Sequence, residues 1–279
     1  MDQAGLSVAD RYAVVGNPVG HSKSPWIHAK FAAQTGEAIE YGAILAPLDG
    51  FPAAIAAFQA AGGKGANVTL PFKEEAFAIC AALSGRARAA NAVNTLIFSK
   101  SRVIGDNTDG LGLTRDLALN LGFVVEGRRI LLLGAGGAAR GVLAPLLAAR
   151  PEGLTISNRS VDNARALVAL LPADLGRNAA VCGYEALRGR SFDLVINATS
   201  TGLSDASLPL PPEIFSAGSL AYEMLYGRET PFMRQAREGG AAQISDGLGM
   251  LVEQAAESFF LWRGLRPLTA PVLSELRLA

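Results

Sequence analysis

The 279-residue sequence contains little of what would assign it to a specialised class of protein. Its only cysteines, Cys80 and Cys182, are too few and too far apart in sequence to indicate a disulfide framework or a zinc site. Lysine plus arginine and aspartate plus glutamate each total 25, so the formal net charge is zero. Without a basic field, neither nucleic acid nor an anionic membrane is an expected partner. We therefore expect a small-molecule ligand and no metal.

Long apolar runs are also missing, although hydrophobic residues make up 50% of the chain. Stretches such as "GVLAPLLAAR" are interrupted by charge, Pro or Gly before they could span a bilayer. The first residues, "MDQAGLSVADRY", include acids and no apolar core of a secretory signal. The sequence therefore predicts a cytoplasmic protein that does not contact a membrane. It leaves open whether the protein is a monomer or a homodimer.

Strand-like and helical runs alternate along the chain, which predicts an α/β fold with parallel sheets covered by helices. In the first part, the strand-like runs are "YAVVG", "EYGAIL" and "GANVTL", and the helical runs are "WIHAKFAAQT", "GFPAAIAAFQAAG" and "EEAFAICAALS". A second series begins at "RRILLLGAGGAARGVLAPLLAA" and continues through "LTISNRS" and "FDLVINAT". The Gly/Asp/Asn-rich turn in "GDNTDGLGLTRDLALNLGF" separates the two series. We expect two domains that join at this turn.

The second series contains a dinucleotide-binding fingerprint. "ILLLGAGGAAR" is a buried strand followed by a G-x-G-x-x-A turn at the start of a helix. Small residues there let the backbone approach a pyrophosphate, whose charge the N–H groups of a helix start favour. The residues of this turn are Gly134, Ala135, Gly136, Gly137, Ala138 and Ala139. The alternative is an ordinary glycine-rich turn between a strand and a helix.

The next strand of this series indicates which dinucleotide is bound. It ends in Asn158, Arg159 and Ser160, where an NAD site would place an acid for the ribose 2′-hydroxyl. A guanidinium with hydrogen-bonding neighbours suits a 2′-phosphate instead, so we expect NADP. The alternative is that Arg159 is a solvated loop residue.

A nicotinamide cofactor transfers hydride, and reduction of a ketone leaves an alkoxide that must gain a proton. The chain has only two histidines, His21 and His28, so the usual imidazole proton donor has few candidates. His28 lies in an Ala/Lys-rich helical run and is expected at the surface or partly buried. Lys73 follows the strand in "NVTLPFKEEA", and a lysine beside a carboxylate can transfer the proton. Asp109 in "GDNTDG" could be that carboxylate.

Taken together, these motifs identify a resemblance to the shikimate dehydrogenase family. The motifs occur in the family's order over most of the chain: "GNPVGHSKSPWIH", "GANVTLPFKE", "NAVNT", "GDNTDG", "GAGGAAR", "NRS", "INATSTG" and "DGLGMLVEQA". The resemblance implies reversible NADPH-dependent reduction of 3-dehydroshikimate to shikimate, on the route to chorismate and the aromatic amino acids. It also implies an N-terminal α/β substrate domain with a mostly parallel sheet and a Rossmann-like NADP domain, with a cleft between them.

The resemblance assigns roles to individual residues. Lys73 and Asp109 become the catalytic pair. In "HSKSP", Ser22 and Ser24 would hold the substrate carboxylate, although Ser24 before Pro25 also fits a helix cap. The remaining substrate-binding residues implied by the resemblance are Asn67, Thr69, Asn94, Tyr226 and Gln254.

Further cofactor contacts follow in the same way. They are Ala198, Thr199 and Ser200 of "INATSTG", Met224 of "YEMLY", and Gly247 of "DGLGM". The apolar positions after Gly247 have helical spacing, and in the family this helix returns to the first domain. We therefore expect a substrate domain of residues 1–109 completed by 246–279, and an NADP domain of residues 110–245.

Two other functions compete with this interpretation. One is a quinate/shikimate dehydrogenase that accepts NAD as well as NADP, against which "HSKSP" and Arg159 argue. Many NADP-using members of the family carry a second arginine where this chain has Asn163, with Arg165 two residues further on. The other is a dinucleotide-binding sensor without activity, against which the presence of both Lys73 and Asp109 argues.

Overall fold

The computed structural model describes residues 9–100, 102–203 and 205–278. The strands are β1 (Asp10–Gly16), β2 (Ile39–Leu45), β3 (Gly63–Val68), β4 (Ala82–Leu83), β5 (Thr95–Ser99), β6 (Arg102–Asp106), β7 (Arg129–Leu133), β8 (Gly153–Ser157), β9 (Ala179–Cys182), β10 (Phe192–Asn197), β11 (Phe215–Glu223) and β12 (Gln243–Ser245). The helices are α1 (Ser24–Thr35), α2 (Phe51–Ala60), α3 (Lys73–Ile79), α4 (Gly85–Ala90), α5 (Asp109–Arg115), α6 (Gly137–Ala148), α7 (Val161–Ala169), α8 (Ala173–Gly176), α9 (Pro231–Glu238), α10 (Leu248–Arg263) and α11 (Thr269–Leu278).

The described chain divides into two compact units. The first unit contains the residues up to Thr108 and those from Gln254 onward, and the second is Asp109–Glu253. The joins predicted from the sequence are 109/110 and 245/246. The second division between units falls inside α10, where an uninterrupted helical pattern carries no linker signal. The substrate and NADP roles of the two units stay predictions.

The sheet of the first unit has the strand order β2-β1-β3-β5-β6-β4. Strands β1, β2 and β3 are parallel, as predicted, and β4 is parallel to β6. Strand β5 runs antiparallel to both of its neighbours. Strands β5 and β6 have no counterpart among the strands predicted from the sequence. The expected mostly parallel sheet is confirmed, and β5 is its antiparallel member.

Helix α3 is shorter than its sequence pattern predicted. The Ala-rich run "EEAFAICAALS" reads as one helix, but α3 ends at Ile79 and Cys80 adopts an extended backbone conformation. Ala82 and Leu83 then pair with β6 as strand β4. Pairing at the edge of the sheet has overridden the helix propensity of alanine.

The C-terminal part of α10 is anchored on the sheet of the first unit. Trp262 stacks on Tyr12 with ring centroids 4.6 Å apart, and its indole N–H donates to the Leu96 carbonyl at 3.0 Å. Arg263 makes ion pairs with Asp10 and Glu37. These contacts hold the C-terminal part of α10 on the first unit.

The second unit contains a wholly parallel sheet with the order β12-β11-β10-β7-β8-β9. The order reverses between β7 and β10, which creates the switch point where open α/β sheets bind ligands. Strand β7 is buried on both faces, because Ile130 and Leu132 belong to one core and Leu131 and Leu133 to the other. The predicted Rossmann-like arrangement of this unit is confirmed.

Helices α5 and α6 of the second unit approach closely at Gly110. A Cβ at this residue would lie 2.4 Å from the carbonyl oxygen of Gly141 and 2.3 Å from Pro145 Cγ. One neighbour is a backbone atom of α6 and the other is an atom of a rigid proline ring, so neither can easily move. The absence of a side chain at Gly110 is therefore a packing requirement.

We predict that Gly110→Ala lowers the free energy of unfolding by about 1–3 kcal/mol because the added methyl group overpacks this contact. Gly85→Ala is the matched control, since a Cβ at this helical glycine meets no atom within 4 Å among the described residues. The control is expected to be neutral or stabilising by up to about 1 kcal/mol. Urea unfolding measures both, and equal effects of the two variants would contradict the assignment.

Candidate functional site

Lys73 is the first residue of α3, shortly after β3 ends at Val68. Its side chain is half-buried. The carbonyl of Lys73 accepts a hydrogen bond from the Val93 N–H at 2.9 Å. Because Val93 immediately precedes Asn94, this bond fixes the start of α3 against the segment that contains another predicted site residue.

Asn67 lies near the end of β3, and protein groups use both ends of its side-chain amide. Its Nδ2 donates to the carbonyl oxygen of Asn94, to Thr95 Oγ1 and to Ser258 Oγ, at 3.0–3.2 Å. Its Oδ1 accepts from the Tyr41 hydroxyl at 2.7 Å. The Asn94 carbonyl can only accept, so this contact determines which end of the Asn67 amide is the nitrogen.

Asn94 is the centre of a second set of buried bonds. Its Oδ1 accepts from the backbone N–H of Thr108 at 2.8 Å and from Thr95 Oγ1 at 2.9 Å. Its Nδ2 donates to Thr108 Oγ1 at 2.9 Å and to Gln254 Oε1 at 3.2 Å. Three of the predicted substrate residues, Asn67, Asn94 and Gln254, therefore lie in one network of the first unit.

The hydroxyls of Thr95 and Ser258 in this network were not predicted from the sequence. Thr95 and Ser258 contact each other at 2.8 Å, and both are fully buried. One local signal existed for Ser258, which stands four residues after Gln254 and so shares its helix face. For Thr95, the sequence offered only its position beside Asn94.

The two serines of "HSKSP" have different surroundings. Ser24 is buried and is the first residue of α1, whereas Ser22 is half-buried in the preceding loop. The backbone N–H of Ser24 donates to Ser22 Oγ at 3.3 Å. The residue at the N-cap position is Lys23, so the interpretation of Ser24 as the helix cap is wrong. Pro25 pre-sets the first turn without that cap.

The other substrate residues lie at the ends of elements. Thr69 follows β3, is half-buried, and its N–H donates to the Val15 carbonyl at 2.9 Å. Asp109 is buried at the first position of α5, where a carboxylate is favoured by the helix dipole. Tyr226 is half-buried in the loop after β11.

His28 is fully buried, so its expected place at or near the surface is wrong. Its ring stacks on Tyr41 with centroids 4.1 Å apart and planes 6° apart, and it contacts Phe31 edge-on. Burial lowers the pKa of His28 from its ordinary 6.5 to about 3. Within the described part of the chain neither ring nitrogen has a hydrogen-bond partner, so the neutral imidazole serves as an aromatic core residue.

In the second unit, the predicted cofactor turn follows β7 at the switch point of the sheet. Gly134 has φ +106°, which a residue with a side chain rarely adopts. A Cβ on Gly134 would lie 3.0 Å from the Ala198 carbonyl oxygen and 3.1 Å from Thr199 Cγ2. The turn after β7 therefore packs directly on the loop after β10, which also contains predicted cofactor residues.

The start of α6 has the properties that a pyrophosphate requires. Its N-cap is Gly136, and within the described residues no side chain caps the helix and no acid lies in its first turn. Ideal Cβ atoms on Gly136 and Gly137 would meet no described atom within 4 Å, so the backbone N–H groups can be approached. Ala135 and Ala138 are half-buried, and Ala139 is buried in the core. These residues fit a dinucleotide phosphate.

The end of β8 fits a 2′-phosphate. Asn158 is half-buried and its Nδ2 donates to the Ser160 carbonyl at 2.8 Å, which shapes the turn. Arg159 and Ser160 are exposed there. Arg165, the possible substitute for a second arginine, is exposed and pairs with Asp162 at 2.9 Å.

The loops after β10 and β11 are joined through a buried carboxylate. Glu223 accepts from Asn197 Nδ2 and Thr230 Oγ1 at 2.8 Å and from the Leu225 N–H at 3.0 Å. Burial raises the pKa of Glu223, and these donors offset only part of that effect. Asn197 Oδ1 in turn accepts from the Thr199 hydroxyl at 2.7 Å.

The remaining predicted cofactor residues lie beside these loops. Gly247 is in direct contact with Met224, because a Cβ on Gly247 would lie 2.2 Å from the Met224 carbonyl oxygen. Ser200 is exposed after Thr199. The structure thus brings Gly134, Ala198 and Thr199 together, and separately Met224 and Gly247.

Among the described residues, no helix is both long and apolar enough to cross a bilayer. The same residues contain no group of three or more His, Cys, Asp or Glu side chains that could hold a metal ion.

The parallel sheet, its switch point and the open start of α6 define the second unit as a Rossmann-type dinucleotide-binding unit. Family models agree with this class and extend it. Residues 14–96 match the shikimate dehydrogenase substrate binding domain, 116–204 match shikimate / quinate 5-dehydrogenase, and 247–277 match the shikimate 5′-dehydrogenase C-terminal domain.

Individual relatives cover nearly the whole chain. A shikimate dehydrogenase (NADP(+)) of Dechloromonas aromatica is 62% identical over 97% of this chain and 98% of its own length. Among solved structures, an Ael1 enzyme from Pseudomonas putida is 49% identical, covers 96% of this chain and 98% of its own, and has a TM-score of 0.90. A shikimate 5-dehydrogenase from Thermus thermophilus, in complex with NADP(H) and shikimate, is 36% identical with a TM-score of 0.84, again over 96% and 98%. This chain belongs to the shikimate dehydrogenase family.

The burial of His28 predicts an acid-sensitive fold. Its folded pKa of about 3 lies below the unfolded value of 6.5, so the unfolded chain binds the proton more readily. The stability that the neutral ring contributes is present above about pH 6.5 and is lost as the pH falls towards 3. From about pH 7 to pH 5 this one group should remove about 2 kcal/mol from the free energy of unfolding.

His28→Phe keeps an aromatic ring against Tyr41 and removes the titration. Urea unfolding of both proteins at the two pH values should show a smaller loss in the variant, by about 2 kcal/mol. An identical pH dependence of the two proteins would show that His28 does not titrate as its burial requires.

Proposed function

We propose that this protein is an NADP-dependent shikimate dehydrogenase, which catalyses the reversible reduction of 3-dehydroshikimate to shikimate on the route to chorismate. The observation that carries this function is the full-length identity of 62% to a shikimate dehydrogenase (NADP(+)). The end of β8 supports the cofactor, because Arg159 stands where an NAD site would have an acid. The enzyme is an oxidoreductase that acts on a CH–OH group.

The polar residues of the first unit provide a substrate site for a polyol acid. Ser22 and Ser24 are proposed to bind the carboxylate, and Thr69, Asn67 and Asn94 to bind ring hydroxyls. Gln254 and Tyr226 complete the proposed set. Buried amides that have fixed donors and acceptors reject an analogue that lacks a hydroxyl, because a protein group is then left unpaired. The buried network around Asn94 supports this role.

NADPH, when bound, supplies the hydride. Lys73 and Asp109 are proposed as the catalytic pair on the basis of their family motifs. The ammonium group of Lys73 donates a proton to the oxygen that becomes the new hydroxyl, and in the reverse direction the amine accepts it. Asp109 is proposed to accept a hydrogen bond from a ring hydroxyl of the substrate. The position of Lys73 at the head of α3, fixed through Val93, supports its precise placement.

The proposed cofactor residues act mainly through their backbone. The start of α6, from Gly136, would bind the pyrophosphate, and Asn158, Arg159 and Ser160 would bind the 2′-phosphate. Gly134 lets the chain turn tightly below the phosphates. Ala198, Thr199, Ser200, Met224 and Gly247 are proposed to line the nicotinamide side.

Two further properties belong to this proposal. A cytoplasmic location suits a biosynthetic enzyme that uses soluble metabolites. A monomer or a homodimer, made of the two units proposed above as substrate and NADP domains, would suffice for the reaction.

A second substrate has support from one finding, since residues 116–204 match a family model shared by shikimate and quinate dehydrogenases. Initial rates of nicotinamide reduction with shikimate or quinate, each with NADP or NAD, separate the possibilities. We expect the shikimate–NADP pair to have the highest kcat/KM. Quinate turnover at a comparable rate with NAD would replace the proposal by the broader activity, and no turnover of either acid would refute both.

We predict that Lys73→Ala lowers kcat by roughly two to four orders of magnitude because proton transfer is lost. NADP affinity should stay nearly unchanged. Lys64→Ala is the control, since Lys64 lies on the strand before the site and its side chain is 55% exposed. The control should keep the wild-type kcat, and near-normal turnover of Lys73→Ala would remove Lys73 from the chemistry.

A further inference from the structure

The Thr95 hydroxyl contacts the Asn67 amide, the Asn94 amide and helix α10. Its Oγ1 donates to Asn94 Oδ1 at 2.9 Å and accepts from Asn67 Nδ2 at 3.2 Å. The same atom lies 2.8 Å from Ser258 Oγ. Thr95 is fully buried in β5, so these contacts are made away from water.

The directions of these hydrogen bonds follow from backbone groups that can only donate or only accept. The Thr108 backbone N–H can only donate, so the Asn94 atom that receives it is Oδ1. The Asn94 backbone carbonyl can only accept, so the Asn67 atom beside it is Nδ2. Thr95 therefore meets an acceptor on one side and a donor on the other, and a hydroxyl is the one simple group that satisfies both.

Ser258 supports this arrangement from α10. Its hydroxyl lies 2.8 Å from Thr95 Oγ1 and 3.0 Å from the Gln254 carbonyl oxygen one helical turn earlier, and its oxygen accepts from Asn67. Because the single Thr95 proton is directed at Asn94 Oδ1, the Ser258 hydroxyl is the donor in its contact with Thr95. Asn67 and Thr95 are thus held from the same point.

We propose that Thr95, assisted by Ser258, is a positioning residue for substrate recognition. Thr95 bridges the Asn67 and Asn94 amides, whose donor and acceptor ends are already set by backbone groups, and holds both at fixed positions for a ring hydroxyl. This inference rests on the proposed function, since it assumes that these amides bind a polyol acid. Thr95 itself makes no contact with the reacting atoms.

Two substitutions at Thr95 separate the hydroxyl from the shape of the side chain. Thr95→Val keeps the shape and the β-branch but removes the hydroxyl, and Thr95→Ser does the reverse. We expect Thr95→Val to raise KM for shikimate roughly 10-fold, while Thr95→Ser stays within about 2-fold of wild type. For both, kcat and NADP affinity should change by less than about 3-fold.

If Thr95 had a purely structural role, the order of the KM values of Thr95→Val and Thr95→Ser would be reversed. Loss of a buried methyl in Thr95→Ser would then be as harmful as loss of the hydroxyl, or more so. Equal KM values for Thr95→Val and wild type, or a larger KM for Thr95→Ser than for Thr95→Val, would overturn the proposal. Ser219→Ala is the matched control, because Ser219 is fully buried in the second unit and its hydroxyl has no partner in the described structure.

A second measurement tests orientation directly. Wild type should discriminate strongly in kcat/KM between shikimate and an analogue that lacks one non-reacting ring hydroxyl. In Thr95→Val this discrimination should fall roughly 5- to 10-fold for at least one such analogue, because the amide and the hydroxyl are coupled. Unchanged discrimination for every analogue would refute the proposal.

If Thr95→Val does not fold, Ser258→Ala replaces it in the test. We expect Ser258→Ala to raise KM for shikimate about 3-fold and to lose the same discrimination between shikimate and its analogues. An unchanged KM for shikimate in Ser258→Ala would contradict the proposal. If the wild-type protein shows no shikimate-dependent reduction of NADP, the proposed function itself has failed.

Discussion

The hydrogen bond from the Thr108 backbone N–H to Asn94 Oδ1, 2.8 Å long, sets the polarity of the buried interior of the first unit. A backbone N–H cannot reverse its role, so Asn94 must direct its Nδ2 towards Thr108 Oγ1 and Gln254 Oε1. Reversing this amide would set donors against donors among buried groups, at a cost of about 1–3 kcal/mol per unsatisfied group. The donor and acceptor ends of the Asn94 amide follow from that backbone constraint, and those of the Asn67 amide follow from the Asn94 carbonyl.

The same network includes side chains from the part of α10 that belongs to the first unit. Gln254 lies 160 residues after Asn94, and Ser258 lies 191 residues after Asn67, yet each pair is joined by a side-chain hydrogen bond. Without Gln254 and Ser258, the Asn94 and Asn67 amides would each lose a hydrogen-bond acceptor. The buried polar groups of this unit therefore depend on a distant part of the chain.

The part of the fold that the sequence predicted is the part specified by local pattern. Strand β7 and the turn after it were found because a buried parallel strand gives a continuous apolar run, and Gly134 needs its positive φ. Strands β5 and β6 were missed because their connection at Lys100, with φ 51°, has no Asn-Gly type turn signal. His28 was misplaced because its burial depends on Tyr41, which belongs to another element.

The same distinction between local pattern and distant contacts separates the proposed cofactor site from the proposed substrate site. The proposed cofactor recognition at the start of α6 uses backbone groups of consecutive residues, so a short motif contains most of it. The proposed substrate recognition uses side chains such as Asn67, Thr95 and Ser258, and their meeting depends on sheet register and on a helix far along the chain. Family resemblance could point to Asn67 because its motif is local. Thr95 and Ser258 required the structure, since a hydroxyl becomes a positioning group only through the partners that the fold brings to it.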